Sequence, residues 1–401
     1  MSAATCLMDL VPPAPTARIA PRDRLASVDI VRGAVMVLMA LDHVREFVTN
    51  QRFQPEDLTR ASVALFATRW VTHFCAPSFF LLAGLGIGLA MNRGKTAADM
   101  SRFLAVRGVW LMILDLTISD FGWGFSLHMA PVFAVVIWTL GLSMLCMAAL
   151  VRIPRAAVLT LSLALIALHN LFDAVQPAQL GALAPAWILL HVPGFLVPGT
   201  FLSTYPLVPW VGVMGAGYVL ASVYQWEPAR RRSFLLWTGL AATALFVVLR
   251  ATHSYGNPLL WTPQRTPELT AAAFFNVRKY PPSLQFLLMT LGPALVALSL
   301  AESARGRIAD WVVTYGRVPL FYYCVHIYVG HVLAIALAAV QVGGLHRINI
   351  LTEVDKLPAG YGVGLPGVYA TWITVVVIMY FACRWFAELK ATRSWWWLRY
   401  A

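Results

Sequence analysis

Apolar residues run through this chain in long blocks broken by short clusters of charge, Gly and Pro. A hydrocarbon layer takes roughly 20 apolar residues per helix, and runs near that length occur about ten times. They lie at Val28 to Val48, Leu65 to Met91, Phe103 to Asp120, Met129 to Leu150, Ala156 to Asp173, Tyr205 to Tyr224, Ser233 to Arg250, Ser283 to Glu302, Val318 to Gln341 and Pro366 to Leu389. The stretch from Pro185 to Thr204 is also apolar, but Pro193 and Pro198 break it and it carries His191. It is expected to re-enter the membrane or lie at its surface rather than cross it. The pattern predicts an all-α polytopic membrane protein, one bundle of about ten transmembrane helices.

Composition agrees. With 59% hydrophobic and 12% charged residues and a mean hydropathy of +0.70, the chain carries more apolar side chain than a soluble globule of 401 residues buries. The net charge of +12 does not point to nucleic acid, because the basic residues sit in spacers between apolar runs rather than on one face. With the N-terminus placed in the cytosol, the inner segments collect nineteen of the 30 basic residues and the outer ones ten; the remaining one, Arg32, lies inside the first helix. Both termini are therefore expected in the cytosol. The connection from Asn170 to Thr204 holds no Lys or Arg, as an exported segment should. Residues 1–24 read as a cytosolic tail without a cleaved signal, 25–390 as one membrane domain, and 391–401 as a second tail. The five cysteines, Cys6, Cys75, Cys146, Cys324 and Cys383, are scattered and read as small buried hydrophobes; no metal is expected.

Charges inside a span are costly unless paired or hydrated, so each marks a candidate site. The first helix has several. Asp29 and Arg32 are three residues apart, the spacing of an ion pair at the inner boundary. Arg32 and His43 share a face, about 16 Å apart along the axis, and Asp42 and His43 lie two-thirds of the way across. An imidazole has the pKa for proton transfer near neutrality, which makes His43 the candidate general base. His73 and Asp115 are expected either to face the same outward polar cavity or to satisfy a neighbouring helix's hydroxyls or a broken backbone. The same two readings apply to His128 and His191. His326 and His331 are spaced five apart, which suits joint metal ligation poorly. Lys279 and Tyr280 stand just outside the eighth span beside Pro281 and Pro282. Arg102, Arg107 and Arg317 at the inner ends of spans fit either a phosphate site or positive-inside anchoring.

Several ordered motifs together carry a resemblance. They are Arg24-Leu-Ala-Ser-Val-Asp-Ile-Val-Arg-Gly with Asp42-His43-Val-Arg, Cys75-Ala-Pro, Arg102-Phe-Leu-Ala-Val-Arg-Gly, His169-Asn170, Tyr205-Pro-Leu-Val-Pro-Trp, Lys279-Tyr-Pro-Pro-Ser-Leu and Gly316-Arg-Val-Pro-Leu-Phe-Tyr-Tyr. Over nearly its whole length the chain resembles the bacterial transmembrane acyltransferases related to heparan-α-glucosaminide N-acetyltransferase. Arg32 and His43 also fit the Arg-x10-His spacing of the wider membrane acyltransferase group.

The resemblance implies transfer of an acyl group, acetyl foremost, from cytosolic acetyl-CoA as co-substrate to an amine or hydroxyl of a glycan or amino sugar outside. His43 and Asp42 would be catalytic and Asp29 and Arg32 would support them. His73, Asp115, His169, Asn170, Lys279, Tyr280 and His326 would stand on the acceptor side, and Arg102, Arg107 and Arg317 would hold acyl-CoA. The expected setting is a lipid bilayer, the bacterial inner membrane, with self-association into a homo-oligomer left open. The rival expectation is a proton-coupled secondary transporter using the same Asp and His residues.

Overall fold

The structure, a computed structural model, describes residues 26–126 and 131–399. The N-terminal tail, His128, the start of the fourth expected span and the last two residues lie outside that range. The helices are α1 (Ala26–Val48), α2 (Val63–Thr72), α3 (Cys75–Asn92), α4 (Ala97–Leu114), α5 (Asp120–Gly124), α6 (Val136–Leu150), α7 (Arg155–Leu168), α8 (Ala184–Leu190), α9 (Leu207–Leu220), α10 (Pro228–Thr252), α11 (Pro267–Phe275), α12 (Leu284–Ala301), α13 (Arg307–Gly316), α14 (Pro319–Val342) and α15 (Leu365–Thr392). In lipid every backbone polar group must be satisfied within the protein, and a helix does this locally.

Seven helical segments among the described residues are long and apolar enough to cross a membrane, which makes this an integral membrane protein. They correspond to seven of the ten expected spans. The others form α1, α4 and α6. α1 carries Asp29, Arg32, Asp42, Arg45 and Glu46, α4 carries Asp99, Arg102 and Arg107, and α6 has 15 residues.

Two expectations about local form changed or gained detail. The run from Leu65 to Met91 is not one regular helix: it breaks at His73 and Phe74 between α2 and α3. Pro77 explains the break, since its ring crowds the carbonyl four residues back and it has no N–H to give. The segment with Pro193 and Pro198 folds as the short α8 followed by strands β2 (Gly194–Val197) and β3 (Phe201–Ser203), which join β1 (Val132–Ala134) in the order β1-β3-β2. β3 is parallel to β1 and antiparallel to β2.

Close helix crossings hold the bundle. A Cβ on Gly84 would lie 1.9 Å from the Met214 carbonyl oxygen, and one on Gly217 would lie 2.1 Å from that of Leu81, so α3 and α9 touch backbone to backbone. The same device joins α1 to α13: a Cβ on Gly33 would sit 1.9 Å from the Val312 oxygen, and one on Gly316 1.9 Å from the Asp29 oxygen. Apolar burial drives little association within lipid, so such close packing carries more of the cohesion. α1 is the hub, packed against α2, α3, α12, α13, α14 and α15.

Candidate active site

The polar stripe of α1 has two ends, called inner and outer after the orientation expected from the charge distribution. At the inner end Arg32 Nη1 donates to Asp29 Oδ1 at 2.8 Å and to the Gly316 carbonyl at 3.1 Å, which ties α1 to the end of α13. Arg32 also lines a cavity of about 380 Å³ with Lys95, Arg107 and Lys390; apolar side chains from α1, α3, α4 and α6 form its body. Arg317 lies in the neighbouring groove with Arg384, and Arg102 is exposed and lines neither.

At the outer end Asp42 is enclosed by arginines. It accepts from Arg45 at 3.1 Å and from Arg69. Arg45 also pairs with Glu46, and Arg69 Nε donates to Glu56 at 2.8 Å. The imidazole of His73 is buried 3.5 Å from the same Glu56 oxygen. Glu56 lies in the connection after α1, outside the spans. Burial opposes its charge, but His73 and the Arg69 guanidinium hold its carboxyl well below the usual carboxylate range.

His43 faces another way. Its Nδ1 lies 2.7 Å from His326 Nε2, with the rings stacked at 4.9 Å, and the edge of Trp123 stands 4.7 Å away. The tautomers follow from the next bond. His326 Nδ1 is 2.8 Å from the Tyr322 carbonyl, which only accepts, so that nitrogen carries hydrogen and Nε2 of a neutral His326 is an acceptor. His43 must then donate from Nδ1, which leaves its own Nε2 lone pair without a partner among the described residues. His43 lines a second, outer cavity of about 40 Å³ with Cys75, Tyr205 and Lys279. Cys75 Sγ donates to the Val35 carbonyl at 3.5 Å.

The remaining expected site residues separate by position. Lys279 reaches the outer cavity with its ammonium 5.1 Å from the Tyr280 ring, and the Tyr280 and Tyr205 hydroxyls are 3.1 Å apart. His169 and Asn170 brace this loop from behind: His169 Nε2 lies 2.7 Å from the Pro282 carbonyl, and Asn170 Oδ1 accepts from the Leu284 N–H at 2.8 Å. Asn170 also donates to Asp173, which pairs with His191 at 3.1 Å. Asp115 opens a π-helical turn, Asp115–Ser119, and its Oδ2 accepts from the Val135 and Trp138 N–H groups at 3.0 and 3.1 Å. It satisfies backbone donors at the start of α6, where α6 has no side-chain cap of its own. His331 Nδ1 donates to the Gly122 carbonyl at 2.7 Å, since a carbonyl only accepts.

Arg69, Glu56 and Trp123 were not among the expected residues. Arg69 stands four residues into the run that begins at Leu65, so the rule that singled out Asp42 applied to it as well. Glu56 and Trp123 carried no such signal.

Apolar spanning helices around a histidine pair, one member of which lines a small cavity, define a polytopic membrane protein with a buried polar site. Residues 24–255 match the family described as heparan-alpha-glucosaminide N-acetyltransferase, catalytic, and the chain belongs to that family of membrane acetyltransferases. No curated protein matches it. The matched segment holds Arg32, Asp42, His43, Arg69 and Cys75, whereas Lys279 and His326 come from the rest of the chain.

Proposed function

We propose that the protein moves an acetyl group from cytosolic acetyl-CoA to an amine or hydroxyl of a glycan or amino sugar on the outer side of the membrane. The observation that carries this is the lone pair of His43 Nε2, left free by the hydrogen-bond chain through His326 and placed at the outer cavity. The inner cavity supports the donor half of the reading: Arg32, Lys95, Arg107 and Lys390 suit phosphates, and apolar walls suit the pantetheine arm.

The acceptor N–H or O–H gives its proton to His43 Nε2 as its heteroatom attacks the thioester carbonyl carbon. The C–S bond then breaks, and the CoA sulfur leaves and takes up that proton, so His43 ends as it began. His326 keeps the His43 ring in the tautomer that has a lone pair on Nε2 and accepts from Nδ1 while the imidazolium exists. Lys279 lines the outer cavity, where the acceptor would sit.

General-base assistance is worth about 10²- to 10⁴-fold. Purified protein given acetyl-CoA and an amino sugar should release CoA thiol, and His43→Ala should lower that rate by a factor in this range. An unchanged rate in His43→Ala removes His43 as the base.

A further inference from the structure

The two cavities lie on one line. On α1 the inner cavity is lined by Arg32 and Met36 and the outer one by Met39, Asp42 and His43. On α6, which runs the opposite way, Val136 lines the outer cavity and Ile137, Leu140 and Met144 the inner. On α3 the outer lining is Cys75 and Ala76, and the inner lining begins at Leu82. All three helices therefore pass from one cavity to the other at the same level. Met36 and Met39 are about 4.5 Å apart along the axis, roughly the thickness of one ring layer. Phe79 alone lines both cavities. Its ring is half-buried and makes no ring contact among the described residues, whereas the adjacent Phe80 is fully buried and stacked on Trp210 at 4.7 Å.

We infer that the Phe79 side chain is the partition between donor and acceptor spaces, and that it sets the length of acyl group the protein accepts. This rests on the acyltransferase reading. A donor seated in the inner cavity must carry its acyl carbon past Phe79 to reach His43, with the acyl tail in the outer cavity. The outer cavity is small, about 40 Å³, and not enclosed, so an acetyl group fits beside His43 while the acceptor enters from the open side. An octanoyl tail has six more carbons, which take the space the acceptor needs unless the ring is removed.

The test uses the full chain in detergent with an amino sugar as acceptor, and follows free thiol from acetyl-, butyryl- and octanoyl-CoA. A single methylene in a fitted pocket is worth about 10- to 200-fold, so octanoyl-CoA should react at least about 100-fold more slowly than acetyl-CoA in the wild type. Phe79→Ala should raise the octanoyl rate by about tenfold or more, and the milder Phe79→Leu should raise the butyryl rate even if the alanine variant folds poorly. Phe80→Leu, away from both cavities, should leave the acetyl-to-octanoyl ratio as it is. A wild type indifferent to chain length, or Phe79 variants with the wild-type ratio, would overturn the inference and leave the acyltransferase reading standing. Failure of the wild type to consume any thioester removes that reading, and this proposal with it.

Discussion

The two ends of α1 use the same residue types in opposite ways. At the inner end Asp29 pairs with Arg32, which keeps part of its side chain exposed, and beside it lies a roomy cavity with further basic groups. At the outer end Asp42 is locked between Arg45 and Arg69, which are held in turn by Glu46 and Glu56, and the cavity there is about a tenth as large. An open, basic, wide site suits a large anionic ligand. The closed outer network turns the Asp42 carboxylate to Arg45 and Arg69 instead of His43, and it ties the end of α1 that carries His43 to α2. Charge inside the bundle thus serves binding at one end and rigidity at the other.

The largest expected effect breaks the outer network. Asp42→Ala would strand Arg45 and Arg69 in a buried place and should cost about 3–5 kcal/mol, read as a large fall in Tm in detergent; Asp29→Ala, which leaves the partly exposed Arg32 its bond to the Gly316 carbonyl, should cost clearly less. A similar loss at both positions would erase the contrast. Next, His326→Ala should lower kcat by about 10- to 100-fold, part of the whole general-base effect, while leaving KM for acetyl-CoA unchanged. An equal change in KM would make His326 a packing residue instead of a positioning one. At the inner end Arg107→Ala should raise KM for acetyl-CoA about tenfold with little change in Tm, since a hydrogen bond to a charged group is worth about 1.5–3 kcal/mol.

The smallest effect concerns Glu56. Its carboxyl titrates below the ordinary 4.5 in the folded protein, so its contribution is complete above that value and fades as pH falls through the folded one. Glu56→Gln should therefore lower stability at neutral pH by about 1 kcal/mol, discounted for partial exposure. The gap to the wild type should close in strong acid; a gap that persists there would make the effect steric.

The polar stripe of α1 was legible in the sequence because lipid penalises charge, so Asp29, Arg32, Asp42 and His43 stand out against an apolar background. The non-spanning character of the segment with Pro193 and Pro198 was legible for the same kind of reason, as proline leaves helix carbonyls unpaired. The pairing of His43 with His326 was not, because 283 residues separate them and no local spacing encodes a contact between α1 and α14. Arg69 was legible by the same rule as Asp42, since it lies inside the apolar run that begins at Leu65. Asp115 obeyed the rule for intramembrane carboxylates, yet what it meets is the start of α6, a requirement visible only once the helices are assembled. Asp42 likewise stands beside His43 in sequence, but neighbouring helix residues diverge by about 100°, and its oxygens turn to Arg45 and Arg69.

The most direct test of transfer across the bundle uses sealed proteoliposomes of known orientation. Labelled acetyl-CoA is supplied only on the face bearing Arg32 and Arg107, and glucosamine only on the face bearing His43 and Lys279. Labelled N-acetylglucosamine should form in the compartment opposite the donor, and His43→Ala should reduce it by about 10²-fold or more. Product that forms only when donor and acceptor share one compartment, or that forms equally fast with His43→Ala, would contradict transfer through this site.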